Sequence, residues 1–571
     1  MINYKEMIAS EIMEDTLGLS QDEVIQMLEI PSDEANGDFA FPCFRLAKTM
    51  RKAPQLIAAE IAERISSSNN FAKVEQVNAY VNIFINKAIF ESDIIKEVIS
   101  EGVNYGKSDI GTGKKVVIDF SSPNIAKPFH IGHIRSTVIG NSIYKLYDAI
   151  GYDVVRVNHL GDYGTQFGKL IVAYRKWGNE EELLKSPIKT LLAYYTKFHE
   201  EAELHPELND EAREAFARLE QGNQEEFELW KKFREYSLTE FNRVYDMLDI
   251  KFDSFAGESF YSDKMEPVVQ ELRDKNLLEE SQGAFIVGLE EYDMAPAVIL
   301  KSDGSSLYAT RDIATAIYRK NTYDFAKCIY VVASQQNLHF KQWKKVLQLM
   351  GYEWEKDCVH VPFGLVSLED GVISTRKGRV VFLEDVLNNA VEKTKEIMIE
   401  KNPNTPDLEE IAKEVGIGAV IFQELSNNRI KDYVFSWDKV LNFDGETGPY
   451  VQYTHARASS VLRNATEAEL AAIENGEIDA SYLSSDSAYT LTKLIYRIPE
   501  VIVDAADKYE PSILTRHLVD IAQSFNKFYH DEHILVDNDA ERLAKLSLVK
   551  ASKIAIENCL NILGIKAPER M

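Results

Sequence analysis

Residues 115–133 read KVVIDFSSPNIAKPFHIGH, an apolar run that leads through a polar, proline-containing turn to two histidines three residues apart. The run at 115–120 is β-branched and apolar enough for a buried strand of a parallel sheet. Apolar residues then follow helical spacing over 131–150, and residues 152–159 read as a second strand. The stretch therefore predicts a β-turn-α-β unit with both histidines where its helix begins, a position at which open α/β folds bind phosphates and nucleotides.

The rest of this sheet is predicted much further along the chain. An acidic region with helical spacing covers about 173–249, and strand patterns resume only at 328–334 and 359–366. The order of the elements therefore indicates a Rossmann-type parallel sheet that is interrupted by inserted helices and completed after them.

The two ends of the chain carry different patterns. Near the start, helical spacing at 53–65 alternates with a strand-like run at 80–86, which indicates a small α+β domain. Beyond about residue 445 little strand signal remains, whereas 487–506 and 516–532 have the apolar spacing of packed helices. We therefore predict an all-α bundle for the C-terminal part.

Together these patterns predict an α/β protein of several domains. A chain of 571 residues is far longer than one hydrophobic core usually serves, which agrees with three or four domains. The predicted parts are an N-terminal α+β domain at 1–88, a Rossmann-type domain at 110–370 with a helical insertion at about 173–295, a signature-loop and connecting helical region at 371–444, and a C-terminal helical domain at 445–571.

Net charge limits the kinds of partner that the chain can have. The formal charge of −27 argues against a wholly basic, non-specific nucleic-acid binder, and no DNA partner is expected. Basic islands at 45–52, 374–379 and 427–431 still allow a structured RNA to be held by local patches. Solvated surface is the ordinary explanation of any one island alone.

Cysteine spacing and apolar runs indicate a cytoplasmic protein without a structural metal. The four cysteines lie far apart without CxxC spacing, which suits reduced thiols. The first residues lack the apolar core of a signal peptide, and the longest apolar run, at 415–422, is too short to cross a bilayer. We therefore expect no membrane partner and assign no metal ligands.

The motif HIGH at 130–133, after a strand and at the start of a helix, resembles the signature of the class I aminoacyl-tRNA synthetases. HIGH alone is weak evidence, because small nucleotidyltransferases share it. Five blocks in the right order across the chain are similar to the arginyl-tRNA synthetase family within that class. These blocks lie at 121–141, 158–168, 307–314, 448–457 and 564–571.

This resemblance implies an arginine–tRNA ligase, which is expected to be a cytoplasmic monomer. Such an enzyme activates L-arginine with ATP to arginyl-adenylate and pyrophosphate, and then transfers arginine to the 3′-terminal adenosine of tRNA(Arg). ATP as a substrate, Mg²⁺ as a cofactor and tRNA(Arg) as a partner are implied with it. The alternative is a noncatalytic RNA-binding or regulatory relative of a class I synthetase, because the second signature of the class is degenerate.

The two histidines fit this reaction. Attack of a carboxylate on the α-phosphorus of ATP places negative charge on the phosphates, and hydrogen-bond donors at a positive helix end stabilise that charge. The resemblance assigns ATP binding to His130, Gly132, His133 and Ser374, with both histidines also catalytic. Glycine between the histidines leaves room for adenine to approach the backbone. The alternatives are histidines that only cap the helix or pack, and a zinc pair, which lacks a third ligand nearby.

The second signature of the class, KMSKS, is degenerate in this chain. Aligned by its serine, the segment VISTRKG at 372–378 has Val372 and Thr375 where the pattern has lysines. Another cation must then stabilise the departing pyrophosphate, and a compact lysine charge suits a triphosphate. The catalytic candidates, in order of preference, are Lys127, Arg376 and Lys377.

A pocket for arginine is implied by three further residues. Tyr308 and Asp312 are i, i+4 on a predicted helix and share one face, while Asp119 ends the strand before the motif. By resemblance, Asp312 and Asp119 hold the planar guanidinium fork and Tyr308 supplies a hydroxyl and a wall. The alternative for Asp312, and also for Asp119, is a surface carboxylate paired with Arg311 or Arg319. The α-amino and carboxylate end of the substrate is assigned to Ser122, Asn124, His133 and Gln336.

Contacts with tRNA are implied for both ends of the chain. The N-terminal domain, with GDFAFPCFRLAK at 37–48, resembles the tRNA-contacting domain of the family, and the C-terminal bundle resembles its anticodon-binding domain. Tyr450, Tyr453 and Arg457 are the predicted tRNA-binding residues, because aromatic and basic side chains stack on unpaired bases. Phe528 is predicted to lie in the core instead.

Overall fold

The computed structural model of the protein describes residues 3–13, 18–127, 129–301, 308–368, 381–401, 406–443 and 445–571. The chain forms two compact units. Unit 1 comprises Met1–Tyr105, Arg457–Ile498 and Asp520–Asn558. Unit 2 comprises Gly106–Ala456, Pro499–Val519 and Cys559–Met571. The candidate active site lies wholly in unit 2.

The described strands are short and fall into four sheets. In chain order they are β1 (Phe39–Pro42), β2 (Phe71–Val77), β3 (Tyr80–Ile85), β4 (Lys115–Asp119), β5 (Asp153–Val157), β6 (Glu279–Ser281), β7 (Ala284–Val287), β8 (Ala297–Leu300), β9 (Lys327–Ala333), β10 (Cys358–Phe363), β11 (Val366–Leu368) and β12 (Tyr433–Phe435).

Helices make up most of the described chain. In chain order they are α1 (Tyr4–Ile12), α2 (Gln21–Met27), α3 (Leu46–Met50), α4 (Pro54–Ile65), α5 (Lys87–Glu101), α6 (Ile134–Ala149), α7 (Thr165–Trp177), α8 (Glu180–Lys185), α9 (Pro187–Leu204), α10 (Leu208–Glu220), α11 (Gln224–Met247), α12 (Met265–Asp274), α13 (Tyr308–Tyr323), α14 (Asn337–Leu349), α15 (Leu383–Lys401), α16 (Leu408–Ser426), α17 (Trp437–Val440), α18 (Gly448–Leu462), α19 (Glu467–Glu474), α20 (Asp486–Tyr496), α21 (Ile498–Asp507), α22 (Ser512–Asp531) and α23 (Asp539–Leu563).

The central sheet of unit 2 confirms the predicted parallel architecture. Its strand order is β10-β9-β4-β5, and all three pairings are parallel. Asp119, the last residue of β4, is level with Tyr330 of β9 and Val157 of β5. The segments that follow β4, β5 and β9 therefore leave the sheet at one edge, where ligands bind in open α/β folds.

Helices cover the sheet closely. One core cluster joins Val117 of β4 to Ile313 of α13 and Trp343 of α14, so these two helices pack against the strands. Helix α6 approaches so closely that a Cβ on Gly140 would lie 2.3 Å from Phe120, which explains why the position is glycine. The close packing fixes where α6 begins relative to the end of β4.

The material between β5 and β9 is mostly helical, as predicted, but it contains a small sheet that the prediction omitted. Helices α7 to α11 follow one another from Thr165 to Met247. Strands β6 and β7, within the predicted helical insertion, then form an antiparallel sheet with β8, which lies just after its predicted end. The β6–β7 hairpin turns at Gln282 and Gly283, whose φ angles of 52° and 79° fit a tight turn.

Unit 1 contains the predicted N-terminal α+β fold. Strands β1, β3 and β2 form an antiparallel sheet, and α4 packs on it through Ile57 and Ile61, which are fully buried. From α18 to α23 the described chain is helical, which confirms the predicted C-terminal bundle. The limits proposed for the separate domains stay a prediction.

Candidate active site

The turn after β4 has a strained backbone that other elements hold in place. Ser121, Ser122 and Ala126 have φ angles of 69°, 47° and 58°, which non-glycine residues rarely adopt. The backbone N–H of Ser121 donates to Ser136 Oγ at 2.9 Å. That of Ala126 donates to Ser237 Oγ at 3.0 Å. Strain of this kind persists where the surrounding structure determines it, and it is common at functional sites.

The histidines of the HIGH motif lie in a 3₁₀ turn immediately before α6. The turn spans Ile131–His133 and is capped by His130, whose Nδ1 accepts from the N–H of Gly132 at 3.0 Å. The Nδ1 of His133 accepts from the N–H of His130 at 3.1 Å. The two ring centroids are 4.0 Å apart. The prediction that both histidines lie where the helix begins is therefore confirmed.

These hydrogen bonds determine what each imidazole can do. The Nδ1 of His130 accepts, so the proton of its neutral ring resides on Nε2. The Nδ1 of His133 lies 3.1 Å from the N–H and 3.3 Å from the carbonyl oxygen of His130, and the shorter contact, to a group that can only donate, assigns His133 the same tautomer. Burial and the neighbouring His130 lower the pKa of His133 to about 3, and burial also lowers the pKa of His130. At neutral pH the pair therefore offers two uncharged Nε2–H donors. A Cβ on Gly132 would lie 2.8 Å from His130 Cε1, so this arrangement needs glycine between them.

Of the three candidates for the cation that stabilises pyrophosphate, the structure describes only Lys127. Lys127 is half-buried, and its positive charge contributes to lowering the pKa of His133, so it lies near the histidine pair. Ser374, Arg376 and Lys377 lie outside the described residues.

The chain that follows the second signature returns to the histidine turn. Ile131 N–H donates to Val381 O at 3.1 Å, and Leu383 N–H donates to Phe129 O at 2.9 Å. His130 and Phe382 form an isolated antiparallel bridge. The segment around the second signature therefore ends beside the first.

Asp119 is already paired inside the protein. Its Oδ2 accepts from Arg319 Nη2 at 2.7 Å, and its Oδ1 accepts from Ser122 Oγ at 2.9 Å. Arg319 is fully buried, and Asp119 is 6% exposed. The Ser122 hydroxyl also accepts from the N–H of His159 at 3.2 Å. A ligand guanidinium would therefore meet an Asp119 carboxylate that an internal arginine has already neutralised.

Asp312 has a different environment from the one that the surface ion-pair alternative requires. Arg311 pairs with Glu258 at 3.1 Å and Arg319 pairs with Asp119, so neither guanidinium contacts Asp312. The Asp312 Oδ2 instead lies 2.5 Å from His339 Nε2. Its side chain is 30% exposed. Asp312 is therefore an accessible carboxylate with a histidine partner.

Two acidic residues that the sequence prediction missed, Asp162 and Glu258, form an acidic cluster with Asp119 and Asp312. Asp162 is fully buried and pairs with Arg234 at 3.0 Å. Burial raises the pKa of Glu258 to about 7, Arg311 opposes that rise, and Asp312 and Asp162 add to it. Asp162 lies inside the block at 158–168, whereas no signal in the sequence marked Glu258.

The remaining predicted pocket residues lie at the same edge of the sheet but on exposed positions. Tyr308 is the first residue of α13 and is 66% exposed. Gln336 is exposed just before α14, after the end of β9. Asn124 is exposed and bridges to Gly161. Within the described ranges, no hydrogen bond joins Tyr308, Gln336 or Asn124 to Asp312.

The predicted tRNA-binding residues lie on α18. Tyr453 is 42% exposed, and Tyr450 and Arg457 are half-buried. Arg457 donates to Asn526 Oδ1 and lies over the ring of Tyr529 at 5.2 Å from its centroid. Phe528 is fully buried, as predicted.

Three features bear on metals, thiols and membranes. Among the residues that the structure describes, no group of three His, Cys, Asp or Glu side chains is placed to hold a metal ion. All four cysteines are free and buried. No helix within the described ranges is long and apolar enough to span a bilayer.

Three family models match successive parts of the chain. Residues 3–85 match the N-terminal domain of arginyl-tRNA synthetases, and residues 94–437 match the catalytic domain of class I tRNA synthetases for arginine. Residues 451–571 match the DALR anticodon-binding domain. The three matches together cover almost the whole chain in the predicted order.

Similar proteins extend this agreement over the full length. The chain is 58% identical to an arginine–tRNA ligase of Clostridioides difficile and 56% identical to one of Halothermothrix orenii, with 100% of each chain covered. The arginyl-tRNA synthetase structure of Thermus thermophilus shares the fold, with a TM-score of 0.81 at 24% identity over 100% of this chain and 99% of that one. That of Plasmodium falciparum gives 0.78 at 25% identity, over 100% and 98%.

These similarities favour an enzyme over a noncatalytic relative, and they agree with the parallel sheet, the HIGH turn and the helical bundle. The partners are those of the reaction: ATP, arginine and tRNA(Arg). The chain therefore belongs to the arginyl-tRNA synthetase family and is an arginine–tRNA ligase, which activates L-arginine with ATP and attaches it to tRNA(Arg).

Proposed function

We propose that arginine is activated at the edge of the sheet formed by the ends of β4, β5 and β9, with Asp312 as the carboxylate that binds the substrate guanidinium. The observation that carries this proposal is a count of charges in the acidic cluster. Asp119, Asp162 and Glu258 pair with Arg319, Arg234 and Arg311. Asp312 is the one carboxylate of the four whose partner is not an arginine.

When all four carboxylates are ionised, as they are above the pKa of about 7 of Glu258, the cluster is one cation short of balance. An uncompensated carboxylate among partly buried groups favours binding of a cation, because few solvent dipoles stabilise the bare charge. A guanidinium is the cation that donates two parallel hydrogen bonds to a carboxylate. Substrate arginine is thus proposed to supply the fourth guanidinium of the cluster.

The other predicted pocket residues take two kinds of role. Asp119 is hydrogen-bonded to Ser122 and paired with Arg319, so its negative charge is already compensated. Asp119 and Ser122 are therefore proposed to shape the pocket without binding the guanidinium as a free carboxylate would. Tyr308, Asn124 and Gln336 are exposed at the same edge and are proposed to contact the substrate directly. Tyr308 provides a wall for the guanidinium, whereas Asn124, Gln336 and His133 bind the α-amino and carboxylate end.

ATP is proposed to bind at the histidine turn. The Nε2–H groups of His130 and His133 are neutral donors, so they stabilise charge that develops on the phosphates without holding a fixed ion pair in the ground state. Gly132 and Ser374 complete the proposed ATP contacts. A cation, Lys127 first and otherwise Arg376 or Lys377, stabilises the departing pyrophosphate.

Mg²⁺ is proposed to arrive with ATP. The part of the chain that the structure describes has no group of three ligands for a metal, which suits an ion bound through substrate phosphates and water. The protein residues therefore bind and orient the nucleotide, and no step is assigned to a protein-bound metal.

The remaining features of the proposal concern location and tRNA. A cytoplasmic location is supported by four free, buried thiols, which suit a reducing compartment. We expect a monomer. The parts at 1–88 and 445–571 are proposed to contact tRNA, with Tyr450, Tyr453 and Arg457 at the anticodon.

The charge of the substrate tests the proposed pocket. We expect charging of bulk tRNA with arginine, and a kcat/KM lower by roughly 10⁴-fold with lysine or with citrulline, an uncharged isostere of arginine. Neither analogue donates two hydrogen bonds from a planar cation to Asp312. Comparable charging with citrulline would show that the pocket does not require a positive charge. Comparable charging with lysine would show that it does not require a planar group that donates two hydrogen bonds.

Replacement of Lys127 by alanine tests the cation of the ATP site. We expect Lys127→Ala to lower kcat by roughly 10²-fold and to leave KM for arginine nearly unchanged, because the charge is needed as pyrophosphate departs. Lys127→Arg keeps the charge and should retain most of the activity. Lys114→Ala, at an exposed lysine before β4, is the matched control. Unchanged turnover of Lys127→Ala would transfer the role to Arg376 or Lys377.

A further inference from the structure

The contact between Asp312 and His339 carries an inference beyond the proposed pocket, on which it rests. Asp312 lies in the second turn of α13, and His339 lies in the first turn of the neighbouring α14. His339 Nε2 approaches Asp312 Oδ2 at 2.5 Å, and both side chains are about a quarter to a third exposed. Within the described residues, Asp312 Oδ1 has no hydrogen-bond partner. One oxygen is therefore held, and the other is left for a ligand.

Comparison with Asp119 shows why the identity of this partner matters. Both oxygens of Asp119 are occupied, and one of them pairs with the permanent charge of Arg319. A neutral imidazole N–H instead orients a carboxylate and leaves its negative charge available. A protonated imidazole would neutralise that charge, as a guanidinium does.

We propose that His339 is a positioning residue for arginine binding: its neutral Nε2–H holds Asp312 Oδ2 so that Oδ1 faces the substrate guanidinium, and a protonated His339 takes the place of that guanidinium in the charge balance of the cluster. Protonation of His339 should then weaken arginine binding.

The surroundings of His339 limit the other sources of such a pH dependence. Helix α13 contributes Asp312, and β10 contributes His360, which stacks on Phe340 with ring centroids 4.0 Å apart. Burial lowers the pKa of His360, which disfavours its charged form. β8 and the turn at Ser334–Gln336 contribute no titratable side chain, and Glu353–Asp357 pairs with α14 through Glu355 and Lys344.

Glu258 and His159 are the competing explanations: His159 interacts with Asp312, and burial lowers the pKa of its imidazole. Glu258 is the stronger of the two. Its carboxyl has a pKa near 7 because of burial, and its protonation would leave Arg311 unpaired close to Asp312. Loss of that negative charge would also disfavour a cationic substrate at low pH. Glu258→Gln removes this titration and leaves His339 intact, so the two sources are separable.

The experiment measures KM for arginine and KM for ATP in tRNA charging between about pH 5.5 and 8.5, together with calorimetric binding of L-arginine to the free enzyme. In the parent chain we expect KM for arginine to rise by up to roughly tenfold per pH unit on the acidic side, as one proton competes with one cation. KM for ATP should not follow the same curve. His339→Gln, which keeps a neutral N–H donor, should abolish this rise and keep the high-pH KM.

Two further variants complete the test. His339→Ala removes the donor, and we expect roughly tenfold weaker arginine binding at pH 8, as for a hydrogen bond to a charged group. His360→Gln is the matched control at a neighbouring histidine that does not contact Asp312, and its pH profile should remain that of the parent chain.

Several outcomes would overturn the proposal. An unchanged pH profile in His339→Gln, with the rise abolished in Glu258→Gln, would assign the effect to Glu258. Tighter or unchanged arginine binding in His339→Ala would mean that His339 does not hold Asp312 for the substrate. If Asp312→Asn leaves arginine binding unchanged, the proposed pocket itself fails; if only the His339 variants behave like the parent, the pocket stands and the positioning role fails.

Discussion

Asp312→Asn should weaken arginine binding by roughly 30-fold to several thousand-fold and leave KM for ATP almost unchanged. The substitution keeps the size of the side chain and its position on α13, and it removes the charge that is proposed to face the guanidinium. Loss of one partner from a desolvated, hydrogen-bonded charge pair costs about 2 to 5 kcal/mol, which corresponds to that range of affinity. KM for arginine and ATP in tRNA charging, with calorimetric binding of arginine, measures the effect.

A matched control lies just after the same helix. Asp324 is 91% exposed and pairs with Lys320 at 2.9 Å, so Asp324→Asn should leave arginine binding and stability almost unchanged, because solvent screens an exposed ion pair. A loss of arginine and ATP binding together with a lower melting temperature in Asp312→Asn would indicate a role in folding. An effect as small as that of the control would exclude Asp312 from the pocket.

Glu424→Ala should lower the free energy of unfolding by about 3 to 5 kcal/mol. Glu424 and Arg135 form an ion pair at 3.3 Å with both side chains inaccessible to solvent. Arg135 cannot lose its proton, so removal of the carboxyl leaves a buried charge and also deprives the Tyr433 hydroxyl of its acceptor. Urea unfolding and the melting temperature measure the loss.

This pair also links the helix after the HIGH motif to the strand that precedes the second signature. Arg135 lies two residues after the HIGH motif, and it donates to the carbonyl oxygens of Lys431 and Arg429 at 2.8 and 3.2 Å. Those residues precede β12, which pairs with β11, the last strand before the second signature. Glu424→Ala should therefore also lower kcat at temperatures where the protein remains folded.

Three comparison variants make the Glu424 result interpretable. Glu424→Gln separates loss of charge from loss of shape. The double variant Arg135→Met/Glu424→Met should recover stability, because apolar side chains of similar volume replace a buried ion pair well. Asp253→Asn, in a pair with Arg156 that is partly exposed, should cost less than about 1 kcal/mol. A similar small cost in Glu424→Ala would show that the buried pair does not hold these elements together.

Local patterns in the sequence were sufficient for the elements that position the site. The apolar run at 115–120 and the spacing over 131–150 predicted β4, the turn and α6, because a buried parallel strand and a packed helix each have their own periodicity. Strands β6, β7 and β8, of only three or four residues each, escaped prediction because so short a run carries little periodic signal.

The pairings of charged residues were beyond sequence reasoning. Asp119 meets Arg319 and Asp312 meets His339, and in both cases the contact depends on which strands and helices become neighbours. The predicted alternative, Asp312 with Arg311 or Arg319, was wrong because each of those guanidinium groups is engaged elsewhere in the cluster. Helix spacing identifies residues that share a face, and the fold determines what that face meets.

If Asp312 lacks a permanently charged partner in the acidic cluster, guanidinium chloride is a poor choice of denaturant for this enzyme, because the guanidinium ion can bind there. The denaturant ion is then also the head group of the substrate, and it would occupy the native pocket at concentrations far below those that unfold the chain. An ion that binds the native state stabilises it by mass action. A free energy extrapolated from guanidinium would therefore contain a binding contribution that urea does not introduce, and the difference between the two denaturants would report on guanidinium binding to Asp312.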